Sequence, residues 1–247
     1  MNLLNLKTQK IKHWDLPDLE KRFSGIEKQA TNSIYQIYTK DGNLYWLITG
    51  AGLYTFDKRT EKFEHWSQDL IDPSKNRHDF LVKMELEGDH GFWLASNGGR
   101  LFYFDLMTRK FSTFRDPVTV NRKEIDYAIY FIQRKSENEL WVIIASRGIG
   151  VFNTKEKKFY FPDESYSSRL LFQLNSTYLL YTLPNGVVYG AALEGLIKLN
   201  PHAKIFNFNE LKLKIANIPI NSIFQKYLKI QVITPFILRH YLEMVLM

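Results

Sequence analysis

Arg77, Arg100, Arg122 and Arg147, with Asn97 and Glu194, are the side chains of this sequence whose types and placement suit recognition of a polar ligand. A guanidinium holds its N–H donors in a planar fork that matches a carboxylate or a pair of hydroxyls. Such groups beside an amide and a carboxylate would fit an acidic oligosaccharide, and His78 and Arg169 stand in comparable connections. Reaction chemistry finds no equivalent foothold. The sequence has no Gly-x-Ser-x-Gly elbow, no phosphate-binding Gly-Lys-Ser loop, no His-Glu-x-x-His and no calcium-binding loop. His13, His65, His78, His90, His202 and His240 lack metal-ligand spacing, and without cysteine there is no thiol nucleophile, thiolate-held metal or disulfide. The expectation is a chain that is not an enzyme and has neither metal nor cofactor.

The elements that must position these residues are visible as a repeat. Tyr45-Trp46-Leu47-Ile48-Thr49, Phe92-Trp93-Leu94-Ala95-Ser96, Leu140-Trp141-Val142-Ile143-Ile144 and Val188-Tyr189-Gly190-Ala191-Ala192 are equivalent stretches, each followed by a Gly-containing turn and a second apolar run. That run ends in Phe56-Asp57, Phe104-Asp105, Phe152-Asn153 and Leu199-Asn200. A polar turn and an aromatic strand follow, containing Phe63, Phe111, Phe159 and Phe206. A fifth copy of this outer half stands at Asn5 to Trp14. Upstream of each Trp or Tyr lies one more strand: Ser33 to Thr39, Asp79 to Leu86, Asp126 to Gln133, and Leu170 to Leu174 or its continuation to Thr182. Asp41-Gly42-Asn43 and Pro184-Asn185-Gly186 supply the turn residues of tight hairpins.

A period of about 48 residues built from short strands is the signature of a β-propeller with one four-stranded blade per repeat. The reading is an all-β propeller of about four complete blades plus partial blades at both ends, in an incomplete ring. Residues 1–15 form the outer strand of a partial blade. Residues 16–66, 67–115, 116–162 and 163–209 form blades one to four, 210–225 begin a further blade, and 226–247 are a non-repeat tail. Recurrence also assigns roles. Asp57, Asp105, Asn153 and Asn200 cap turns through side-chain oxygens, and Trp46, Trp93 and Trp141 fill the wedge between blades rather than stack on a sugar. Ligand chemistry then falls to the turns between second and third strands and the connections from outer to next inner strand, which share one face and carry the arginines named above.

Asp41-Gly42, Tyr45-Trp46-Leu47-Ile48-Thr49-Gly50-Ala51-Gly52-Leu53 and Phe56-Asp57-Lys58-Arg59-Thr60-Glu61-Lys62-Phe63 resemble the two-component regulator propeller repeat, with looser copies elsewhere over about residues 1 to 225. That repeat forms the sensor region of large bacterial hybrid histidine kinases. The resemblance implies a periplasmic ligand-sensing propeller for carbohydrate breakdown products, followed in full-length relatives by an immunoglobulin-like domain, a membrane helix and a kinase. Two other classes fit the same architecture: a quinoprotein-like or lyase-like propeller enzyme, against which stand the missing calcium and quinone ligand clusters, and a protein-interaction propeller.

The chain of 247 residues is 45% hydrophobic and 15% aromatic, enough for one large β domain. Its formal charge of +7 reads as solvated turn faces, because the lysines gather in polar turns, so no nucleic-acid partner is expected. Met1 to Leu6 lacks the basic start of a signal peptide, and no stretch has the roughly 18 apolar residues of a membrane span. After Asn217 to Gln225 the expected hairpin and Trp strand do not follow. Codon degeneracy lets residues 236–247, shifted by one nucleotide, read as the missing strand and glycine turn, so the tail reads as the frameshifted end of a truncated sensor.

Overall fold

The computed structural model describes residues 1–17, 33–66, 80–117, 128–145, 147–161, 177–183, 187–192 and 195–199. An N-terminal hairpin pairs β1 (Asn2–Leu4) with β2 (Ile11–His13). Three four-stranded antiparallel meanders follow. The first contains β3 (Ile34–Thr39), β4 (Leu44–Thr49), β5 (Gly52–Asp57) and β6 (Lys62–Trp66). The second contains β7 (Leu81–Glu87), β8 (Gly91–Ser96), β9 (Leu101–Asp105) and β10 (Phe111–Phe114), and the third β11 (Ile129–Ser136), β12 (Glu139–Ile144), β13 (Gly148–Asn153) and β14 (Lys158–Tyr160). A fourth sheet shows three strands, β15 (Thr177–Thr182), β16 (Val188–Ala192) and β17 (Gly195–Leu199). Its expected outer strand at Ala203 to Phe206, the turn 184–186 and everything after residue 199 lie outside the described residues. Among the described residues no strand of the fourth sheet pairs with the N-terminal hairpin, and the described sheets do not close into a ring.

The opening segment differs in detail from a lone outer strand. Asn5 is a turn residue between two paired strands, and its Oδ1 accepts the amides of Lys7 and Thr8, both at 3.0 Å. Asp57, Asp105 and Asn153 do the same for the amides two and three residues on, at 2.7–3.2 Å. These amides hold the carboxyls of Asp57 and Asp105 below the usual range. Four residues after each cap stands a left-handed non-glycine: Gln9, Glu61, Arg109 and Lys157, with φ between 56° and 61°. The turn is therefore one recurring structure, and the hairpin is the outer half of a sheet.

Alternation along each second strand builds the core. In β4, Trp46 and Ile48 face the second sheet, where they pack with Leu81, Met84, Phe92 and Phe104. Leu47 faces the opposite way, with Leu16, Ala51, Tyr54 and Phe56. Trp93 repeats the pattern against the third sheet, its ring 5.2 Å from Phe152. Trp46, Trp93 and Trp141 are 6%, 1% and 3% exposed, which settles them as packing residues. Burying one such ring stabilises the seam by about 4–6 kcal/mol before conformational entropy is subtracted. The left-handed turn residue closes the outer end of each seam. Arg109 lies over Trp46 and Trp66 of the preceding sheet at 5.2 and 5.4 Å, and Lys157 lies over Trp93 and Phe114 at 5.0 and 5.5 Å.

Candidate functional site

A β-bulge recurs at the same place in all four innermost strands. Pairing with the second strand slips between Ile34 and Gln36, Leu81 and Lys83, Ile129 and Phe131, and Thr177 and Leu179. The extra residue is Tyr35, Val82, Tyr130 or Tyr178. A bulge bends its strand and re-aims the side chain it inserts. Here it sits at the end of the sheet next to the turn between second and third strands. Tyr35 and Tyr130 are 37% and 46% exposed there, the most exposed aromatic residues of the first and third sheets. Tyr35 lies 5.3 Å from the Phe80 ring, and burial pushes its hydroxyl above the usual tyrosine range, a shift that a Ser33 hydrogen bond opposes.

The turns are fastened to the entry of each inner strand. The amides of Gly50, Asn97 and Ala145 donate to the carbonyls of Ser33, Phe80 and Ala128 at 3.3, 2.9 and 2.8 Å. Within the turns, Thr49 Oγ1 donates to the Gly52 carbonyl at 2.9 Å, and Ser96 Oγ does so to that of Arg100 at 2.9 Å. Gly52, Gly99 and Gly148 adopt φ of 111°, 73° and 73°, which side-chain-bearing residues resist. Asn97 thus presents an exposed side chain from a rigid backbone beside Phe80 and Tyr35, and Arg100 is half-buried three residues on.

Arg147 has a more enclosed setting. Its Nε lies 3.0 Å from Oδ2 of Asp116, whose side chain is only 4% exposed, and its guanidinium stacks 4.3 Å from the Phe161 ring. Register equates Arg147 with Ala51 and Asp116 with Leu16, and in the first sheet those two residues belong to one apolar cluster. An ion pair at the seam between the second and third sheets stands where the seam between the hairpin and the first sheet has an apolar contact.

Asn97, Arg100 and Arg147 therefore stand on the equivalent turns of two adjacent sheets. Arg77, Arg122, Glu194, His78 and Arg169 lie outside the described residues. Sequence reasoning missed Tyr35, Tyr130 and Asp116; a tyrosine stands at this repeat position in three of the four copies, as Tyr35, Tyr130 and Tyr178 with Val82 in the second, which was the available signal. Among the described residues no three His, Cys, Asp or Glu gather as a metal would require, and no helix is long and apolar enough to cross a membrane. His13 bonds Asn2 and Asp15 at 2.6 and 2.9 Å, whereas His65 bonds the Ala51 carbonyl at 2.8 Å and stacks on Tyr54.

No family model matches the chain, and no curated protein matches it. Solved structures do. The extracellular domain of a hybrid two-component system from B. thetaiotaomicron superposes with a TM-score of 0.55 at 17% identity, over 74% of this chain and 23% of that one. A second such domain from the same organism gives 0.50 at 21% identity, over 74% and 22%. The Myceliophteria thermophila Cps50 (Swd1) β-propeller domain gives 0.50 at 9% identity, over 87% and 64%. The chain spans about a quarter of the length of the sensor domains it matches, and it shares their propeller fold.

Proposed function

We propose that this chain is a non-enzymatic, ligand-sensing propeller segment of a two-component signalling sensor, reading carbohydrate-derived molecules on the face that carries Tyr35, Tyr130, Asn97, Arg100 and Arg147. The observation that carries the reading is the recurring bulge. At it stand Tyr35 and Tyr130, each partly exposed, beside turns held rigid by backbone hydrogen bonds, and apolar ring faces with a few fixed polar groups are the composition of small-molecule sites. Arg77, Arg122 and Glu194 belong to the same site by their place in the repeat. The likeness in fold to extracellular sensor domains supports a sensing role outside the cytoplasm. Binding would bias the placement of domains further along a full-length sensor, to the extent that ligand affinity differs between the two placements.

Calorimetric titration of the folded chain with neutral and uronate-containing oligosaccharides tests this. The reading expects at least one saturable binder whose affinity falls ten-fold or more in Asn97→Ala and Arg100→Ala with the unfolding midpoint unchanged. Absence of binding across both classes, or binding insensitive to both substitutions, contradicts it.

A further inference from the structure

Net charge is not spread over this molecule. The four outer turns, residues 5–10, 57–62, 105–110 and 153–158, hold ten Lys/Arg against four Asp/Glu, whereas the whole chain has 33 against 26. Outside those turns the two signs nearly cancel. All the cations in them are exposed. The turns occupy one end of the propeller and adjoin one another. Lys12 and Trp14 of the first hairpin bond Glu61 in the second turn, while Arg109 and Lys157 of the third and fourth turns reach back over the sheet before. At the same end the Lys58, Leu106 and Thr154 amides donate to carbonyls of the inner hairpins at Asn43, His90 and Asn138. Of the carboxylates in those hairpins, Asp89 pairs with Lys40 at 2.6 Å and Glu87 with Arg134 at 2.7 Å between adjacent sheets, Glu139 pairs with Lys135 at 2.5 Å, Asp41 caps its own turn and Glu137 is exposed.

Charge alone would suit any polyanion, but these turns also carry the two most exposed large apolar side chains among the described residues, Leu6 at 84% and Met107 at 87%. Both stand on a turn, flanked within a few residues by lysine or arginine. An exposed apolar tip in a basic surround gains nothing from a soluble polyanion. At a bilayer it enters the acyl boundary while the cations meet headgroups. We propose that this end of the propeller docks on the surface of a bilayer containing anionic phospholipid. The face bearing Tyr35, Tyr130 and Asn97 is the opposite end and stays in water.

The test is co-sedimentation of the full chain with vesicles of phosphatidylglycerol and phosphatidylcholine at one to three, against pure phosphatidylcholine, in 0.1 M salt. Each basic residue at such a surface contributes about five-fold in partition. The expected results are sedimentation with the anionic vesicles alone and a drop of about twenty-fold or more in Lys58→Glu/Lys155→Glu. Leu6→Ser/Met107→Ser should lower vesicle partition about ten-fold while retention on a heparin column is unchanged. Tryptophan emission, to which the buried Trp46, Trp93 and Trp141 contribute, verifies that the variants fold. Protein remaining in the supernatant with anionic vesicles overturns the proposal. So does vesicle partition that ignores the loss of Leu6 and Met107, which would mark a site for soluble polyanions.

Discussion

Oε1 of Glu85, on the innermost strand of the second sheet, accepts the backbone N–H of Arg134 on the innermost strand of the third at 3.1 Å. The same step recurs around the arc. Gln36 Oε1 accepts the Met84 amide at 3.0 Å, and Gln133 Oε1 accepts the Thr182 hydroxyl at 3.1 Å. In each case a side chain of one inner strand reaches the residue one position further along in the next sheet. Innermost strands of neighbouring blades are not paired by a backbone ladder, so these bonds fix the vertical register that apolar packing alone leaves free.

Replacing Glu85 by Ala should orphan a part-buried amide and cost about 1–3 kcal/mol, whereas Glu85→Gln keeps the acceptor and should cost less than 1 kcal/mol. Urea unfolding of the two variants separates them; equal losses would mean that the bond does not carry the seam.

The same carboxyl gives a signed pH effect. Burial pushes Glu85 above the usual glutamate range, and the Arg134 amide and the charges of Lys83 and Arg134 offset only part of that rise. The folded state therefore binds this proton more readily than the unfolded chain does. Its contribution to stability falls as pH rises from the ordinary glutamate range through the raised value. Asp41, Asp57 and Asp105 act in the opposite sense: hydrogen-bonded amides lower them, so their contribution is present above the ordinary aspartate range and lost as pH falls. Subtracting the stability curve of Glu85→Gln from that of the parent isolates the first effect. The difference should show the parent gaining relative stability on acidification, and a flat difference contradicts the assignment.

Gly91 has no room for a side chain. A Cβ there would lie 2.4 Å from the Phe104 carbonyl oxygen and 2.7 Å from the Tyr103 ring. Gly91→Ala should cost about 1–3 kcal/mol through displacement of β9. Gly42→Ala meets nothing within 4 Å and should cost only the roughly 1–2 kcal/mol of its φ of 72°.

The ion pair at the third seam allows a compensation test. Asp116→Leu or Arg147→Ala alone breaks a part-buried ion pair and should cost about 3–5 kcal/mol. The double variant recreates the Leu16 and Ala51 contact of the first seam and should recover most of that loss in thermal unfolding. No recovery would show that the two seams differ by more than this pair.

What was legible in the sequence was what recurs in residue type. Trp46, Trp93 and Trp141, the caps Asp57, Asp105 and Asn153, and the four sheets follow from a period that one-face burial and turn geometry impose on every copy. The left-handed residues of the outer turns were not legible, because Gln9, Glu61, Arg109 and Lys157 share a backbone conformation and no side-chain chemistry. Nor was the Asp116 and Arg147 pair, whose members belong to different repeats and meet only across a seam. Tyr35 and Tyr130 are the instructive miss. At Tyr130 the bulge breaks the alternation, so that the ring is exposed between buried Ile129 and the buried pair Phe131 and Ile132, whereas Tyr35 keeps the exposed alternation it shares with Ile37.

Binding by Tyr35→Ala/Tyr130→Ala tests the account most directly, read against the tightest oligosaccharide found for the parent chain, with unfolding followed in parallel. Both residues are more than a third exposed, so a stability change below about 1 kcal/mol and a loss of affinity of ten-fold or more are expected. Unchanged affinity at unchanged stability would contradict it, because the bulges would then shape the propeller without serving a ligand.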